Sequence, residues 1–317
     1  SFTVLFNLAP PQAGDVVRVY GGYGGNYHYY SDSQALNFYK ETFPITVPAG
    51  VVIKRGDGYP VFIGPCASST SPEPVFRFTD GAGGGSPVSR LEGLHIFGAM
   101  VGVDVVSGSG NPVTVEVMDC IFVRNSSGLF ARASDGHLLN LTIEKCLISD
   151  GIDPSLILVP EPPRYLPLEI GLKFEAVGNG GIPPRITANL VGLDTVGSFE
   201  ASQMNPIGGR GIQPFGFNDY RGSGGIFTRV VQLYVQGAES LREYPEPGMS
   251  TIQDIPSIVL YVNGGTWDGQ ASAEFDSGWD LGLYAIADQA TGNPLGTNNY
   301  LCSYRVDFTG TLIEEMR

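Results

Sequence analysis

Charge is scarce in this chain, and positive charge scarcer still. Charged residues occupy 16% of 317 positions, against about 25% in an ordinary domain. Lys and Arg number 18 against 32 Asp and Glu, a net charge of −14. The cations are scattered and form no basic run, so the electrostatic footprint of a nucleic-acid partner is missing. An acidic surface keeps a chain soluble and can hold divalent cations such as calcium; no other cofactor is suggested. It repels a polyanion unless a local basic patch or a bound metal intervenes. No stretch approaches the roughly 18 apolar residues of a membrane helix, so no membrane span is expected.

Chemistry-bearing residues are sparse too. The four cysteines, Cys66, Cys120, Cys146 and Cys302, make no CxxC pair, which argues against a zinc ribbon or a thioredoxin-type site. Three histidines, His28, His95 and His137, stand far apart. With no HxxxH and no Ser/His/Asp arrangement, none is assigned to catalysis, and His95 is expected to be structural. A helical period of 10–15 residues is also missing, which weighs against TIM-barrel and Rossmann architectures. The sequence opens on Ser1 without a signal peptide. The expectation is a removed targeting segment or a fragment, and an extracellular or cell-surface location.

What is present is apolar and turn-rich. Hydrophobic residues are 42% of the chain, with 44 Gly and 23 Pro. That much apolar material argues against disorder, and its mixture with glycine reads as all-β with many tight turns. Val16, Val17 and Val19 follow the turn Gly14-Asp15. Ile45 and Val47, then Val51 to Ile53, form two further short strands around Pro48-Ala-Gly50, a corner that excludes a helix.

These residues, together with Glu41, Phe43 and Pro44, resemble the opening of the pectin-lyase-like right-handed parallel β-helix proteins, in an uncharacterised group of that kind. The resemblance covers about forty residues. It implies a right-handed parallel β-helix, a solenoid with no natural limit on length, and says little about chemistry. Two departures stand out. Such proteins carry a capping helix before the Gly-Asp turn, whereas residues 1–8 here read as a strand and Pro10-Pro11 as a bar to any helix. A link that is short in the group is expanded into the tyrosine-rich residues 21–40.

Repeats extend the reading. Aligning Leu91 to Phe97 with Met118 to Arg124 and Glu144 to Asp150 brings Gly93, Cys120 and Cys146 to one position, a spacing that suits one turn of a three-sided coil. Looser echoes follow at 186–191, 230–235, 258–262 and 304–308. Residues 154–167, 178–184, 205–225 and 243–254 read as inserted loops, which in such folds gather on one side, where function sits. The expected organisation is a single domain over 1–317: an N-terminal coil and cap region at 1–60, then stacked coils with inserted loops at 61–317.

Candidate sites are few. Cys120 and Cys146 should stack one strand spacing apart as an inward ladder of small apolar side chains; a strained disulfide is the alternative, and a metal pair is disfavoured without a histidine. The run Ser149-Asp-Gly-Ile-Asp153 resembles an element of polygalacturonase-type hydrolases. Asp150 and Asp153 could then supply the two carboxylates of an inverting site, or simply form a surface turn. The rest of that family's set is not found. A lyase would want Arg124 or Arg132 as base. Tyr23, Tyr27, Tyr29 and Tyr30 offer flat rings with polar tips, suited to covering the first coil, to a protein interface, or to glycan stacking. Asn125-Ser-Ser127 and Asn140-Leu-Thr142 match glycosylation acceptors.

Function is less defined than fold. The leading expectation is a secreted structural or adhesive β-helix, self-associating through an uncovered N-terminal edge. The alternatives are a polysaccharide lyase or glycoside hydrolase and a non-catalytic glycan-binding module. The expected partners are a second copy of the chain or an extracellular polysaccharide.

Overall fold

A computed structural model of the chain describes residues 2–20, 28–30, 39–57, 60–63, 73–79, 87–97, 99, 101–108, 111–123, 125, 127–134, 137–149, 170–177, 184–196, 231–237, 242–243, 253–254, 258–268, 281–287 and 304–314. The expectation of an all-β chain holds. Apart from the helix Phe2–Leu8, the regular elements among these residues are strands.

Three parallel sheets hold nearly all of them. The first sheet runs, in order, through Val16–Val19, Val52–Arg55, Val88–Glu92, Val113–Met118, Leu138–Glu144, Arg185–Val191, Ile258–Asn263 and Tyr304–Thr309. The second runs through Tyr39–Lys40, His28–Tyr30, Val61–Ile63, His95–Phe97, Ile121–Val123, Leu147–Ser149, Asp194–Val196, Thr266–Asp268 and Leu312–Glu314. The third runs through Ile45–Val47, Pro74–Thr79, Val101–Ser107, Ser127–Ser134, Ile170–Val177, Val231–Gly237 and Leu281–Ala287. From Val88 onward the strands fall to the first, second and third sheet in fixed rotation. Each pairs in parallel with its counterpart one repeat later. One short antiparallel pair, Arg242–Glu243 with Gln253–Asp254, interrupts the rotation.

Alternation within each strand explains why the sheets close on one core. In Val113–Met118 every second residue is buried, the period-2 signature of a strand with one dry face. Parallel register then stacks like on like. Ile53, Leu91, Val117, Ile143, Leu190 and Val262 form one buried column of the first sheet. Phe62, Ile96, Phe122 and Ile148 form another in the second. In the third, small Val105 and Ala131 lie between Phe78 and Phe174, so large rings find room beside short side chains. Phe62 and Phe76 meet edge to face across the core, their centroids 4.8 Å apart. Each such side chain contributes roughly 1.5–3 kcal/mol on burial.

From Val88 onward the corner from first to second sheet is uniform, whereas the earlier links 20–27 and 56–60 are longer. Six times it consists of two residues: Gly93-Leu94, Asp119-Cys120, Lys145-Cys146, Gly192-Leu193, Gly264-Gly265 and Gly310-Thr311. The first residue of each has positive φ, between 51° at Asp119 and 74° at Gly93. In the first five its N–H donates to a carbonyl of the next repeat, as from Gly93 to Met118 (2.9 Å) and from Lys145 to Val191 (2.8 Å). The ladder therefore continues around the bend, leaving no orphaned amide there.

Two expectations are corrected. The position shared by Cys120 and Cys146 is that of Leu94, not Gly93, because Met118 pairs with Glu92 and Ile121 with His95. Matching small residues slipped the alignment by one place. Gly93 is the left-handed corner residue, whose counterparts are Asp119 and Lys145. Residues 1–8, expected as a strand, contain the helix Phe2–Leu8. Pro10 and Pro11 follow its last turn, closed by the Ala9 N–H on the Leu5 carbonyl (2.8 Å), and so end the helix without preventing it. Phe6 packs against the core, so a short helix precedes the Gly-Asp turn where none was expected.

A candidate functional site on the third sheet

The remaining corners place the site. Links from the second to the third sheet include 64–73, 150–169, 197–230 and 269–280, and links from the third back to the first include 178–184, 238–257 and 288–303. All four expected insertions fall within these links. Their own residues lie mostly outside the described ones, but the strands they join do not. Long segments thus lead into and out of strands of the third sheet, while from Val88 onward the first-to-second corner stays at two residues.

Thr46, Arg77, Asp104, Phe130 and Lys173 share one outward-facing register column of this sheet, and the backbone register continues that column to Tyr234 and Tyr284. Asp104 sits inside the run Val101–Ser107, where alternation turns it away from the core that Val103 and Val105 enter. Its side chain is nevertheless only 3% exposed. Arg77 Nε from the preceding repeat and Arg132 NH2 from the following one both donate to Asp104 Oδ2 at 3.0 Å. Arg77 and Arg132 are 33% and 43% exposed. A carboxylate this buried is tolerable because two charge-assisted bonds replace its water. Asp104 Oδ1 and Arg132 Nε are buried and make no hydrogen bond.

Phe130, next in the column, lies under two cations. Lys173 Nζ stands 4.5 Å and the Arg132 guanidinium carbon 5.2 Å from its ring centroid, within reach of cation–π attraction. Lys173 also pairs with Glu175 at 2.6 Å. Three cations against two carboxylates make this patch locally positive, opposite in sign to the chain. In the same strand as Asp104, Gly102 is buried against the core: a Cβ there would stand 2.5 Å from the Gly128 carbonyl oxygen and 3.1 Å from the Phe122 ring, so only glycine fits that close approach.

The sequence-derived candidates fare unevenly. Asp150, Asp153, Tyr23, Tyr27, Arg124, Cys66 and Cys302 lie outside the described residues. Asp150 directly follows the strand Leu147–Ser149 and belongs to the link 150–169. Tyr29 and Tyr30 are in the strand His28–Tyr30, with Tyr29 in register with Phe62 of a core column. Arg132 is drawn into the Asp104 cluster, which sequence reasoning missed; the one signal was a lone carboxylate within a β-branched run. His95 is buried in the strand His95–Phe97, as expected of a structural residue. Cys120 and Cys146 are buried free thiols in the core. Burial, then the hydrogen bond with Cys120, pushes the Cys146 thiol well above its ordinary range. Among the described residues, no cluster of three or more His, Cys, Asp or Glu is placed to hold a metal, and no helix is long and apolar enough to cross a membrane.

Comparison with family models, curated proteins and solved structures finds no match to the chain.

Proposed function

We propose that this chain is an extracellular or cell-surface right-handed parallel β-helix of the pectin-lyase-like kind. Its role is structural and adhesive, and its third sheet carries an extended polysaccharide. One observation carries the reading: long links lead into and out of strands of the third sheet, whereas from Val88 onward the first-to-second corner is held at two residues. Variable segments around a rigid scaffold are where binding is built. The face between them offers a glycan chain the Phe130 ring with cations and a carboxylate alongside. The register column of Phe130 runs across the strands, one residue per repeat, and reaches Tyr234 and Tyr284.

Affinity electrophoresis against a panel of neutral and acidic polysaccharides tests this. The double variant Phe130→Ala/Tyr284→Ala should lose retention roughly tenfold, about 1.4 kcal/mol, while Asn189→Ala on the first sheet should not. Equal retention by both variants would sink the reading. A second reading, turnover of the same polymer, is favoured by Asp150 opening the link that leads from the second sheet to the third. Activity abolished by Asp150→Ala and Asp153→Ala, assayed with and without calcium, would establish it.

A further inference from the structure

The sequence holds two triplets that an oligosaccharyltransferase would accept, Asn125-Ser-Ser127 and Asn140-Leu-Thr142. The fold treats them in opposite ways. Asn125 is 0% exposed and locks a corner between repeats. Its Oδ1 accepts the Ala99 N–H at 2.9 Å, and its Nδ2 donates to the Ile96 carbonyl at 3.1 Å. A sugar on Nδ2 would need a path to solvent from an atom that has none. Asn140 is exposed on the strand Leu138–Glu144, with Leu141 turned into the core and Thr142 on the same outward face. Its register neighbours are Thr114 and Thr187, and it lies on the first sheet, away from the second-to-third corners that take the long links 150–169 and 197–230.

We infer that Asn140 is the N-glycan acceptor of this chain and that folding and modification of Asn125 exclude one another. In the transfer, the Asn140 amide nitrogen bonds to the anomeric carbon of a lipid-diphosphate-linked oligosaccharide. The bond from that carbon to the diphosphate oxygen breaks, the lipid diphosphate leaves, and the amide proton passes to solvent. Modification of Asn125 on the unfolded chain blocks closure of the corner, so such chains are lost from the folded pool. The inference rests on the extracellular part of the reading above, and on none of its ligand chemistry.

Ser127 provides the decisive variant. Its hydroxyl is buried and makes no hydrogen bond among the described residues, so Ser127→Ala removes the first triplet, keeps Asn125 and relieves an unpaired polar group. The full chain is produced in parallel in a glycosylating secretory host and in a host without that machinery. Enzymatic deglycosylation, which converts an occupied Asn to Asp, should mark Asn140 and leave Asn125 unmarked in the folded, secreted fraction. Asn140→Gln should abolish the glycan mass. Ser127→Ala should leave Tm unchanged or raised without glycosylation, and raise the secreted yield severalfold with it. Folded protein marked at Asn125, an unmarked Asn140, or a secreted yield that Ser127→Ala does not change would each overturn the inference. Polysaccharide retention enters none of these readouts, so the two ideas fail separately.

Discussion

Thr311 and Cys146 do the same work at the same corner position. Thr311 Oγ1 donates toward the Val262 carbonyl at 3.3 Å and the Gly264 carbonyl at 3.1 Å. Cys146 Sγ donates toward Val117 at 3.4 Å and Glu144 at 3.5 Å. Val262 and Val117 each lie three residues before the corner position of the preceding repeat. Cys120 repeats the contact on Leu91 at 3.8 Å. A hydroxyl therefore substitutes for a thiol. Cys146→Thr should cost no more than about 1 kcal/mol, and Cys146→Ala should cost more, through a lost bond and a small void. Urea unfolding midpoints would rank the two.

Alkali should weaken the protein through the same thiol. The folded pKa of Cys146 is raised, chiefly by burial, so the folded state holds a proton that the unfolded state releases above about 8.5. The contribution is complete below that pH and declines as pH rises toward the folded value. Stability measured from pH 7 to 10 should fall more steeply for the parent than for Cys146→Thr. Parallel curves would contradict this.

Asp104 should matter far more than the exposed ion pairs. Asp104→Ala strands Arg77 and Arg132 and should cost about 3 kcal/mol. Lys145→Ala breaks a surface pair with Glu144 and should cost well under 1 kcal/mol. Thermal unfolding of both would separate them, and comparable losses would show that Asp104 is not a clamp across three repeats.

Corner geometry makes two opposite forecasts. Lys145 has φ of 52° where four of the six corners use glycine, so Lys145→Gly should stabilise by up to about 1 kcal/mol. Asp119→Gly should gain less, since aspartate tolerates that conformation better. Gly265 has φ of 80°, and a Cβ there would run into the Leu193 carbonyl. Gly265→Ala should therefore prevent correct folding, seen as insoluble or protease-sensitive product.

Much of the sheet framework was legible in the residues. Val16–Val19, Ile45–Val47 and the runs beginning near 186, 231, 258 and 304 are strands, because β-branched alternation between glycine and proline turns has few other solutions. Sheet membership was not. The run near 231 belongs to the third sheet and those near 186, 258 and 304 to the first, since links of varied length hide the phase. The Asp104 cluster stayed invisible for the same reason. Its arginines are 27 and 28 residues away, and no local pattern connects residues so distant without the register. The opening helix was lost by reading Pro10 as a bar when it is a terminator.

The two-residue corner also acts as a timing mark. A residue added at Asp119-Cys120 would disturb the left-handed turn and the Asp119 N–H bond to the Glu144 carbonyl that carries the ladder around it. At the other two corners a segment as long as 197–230 is admitted with the rhythm intact. New peptide could therefore be grafted beside the third sheet with less structural penalty than at the two-residue turns.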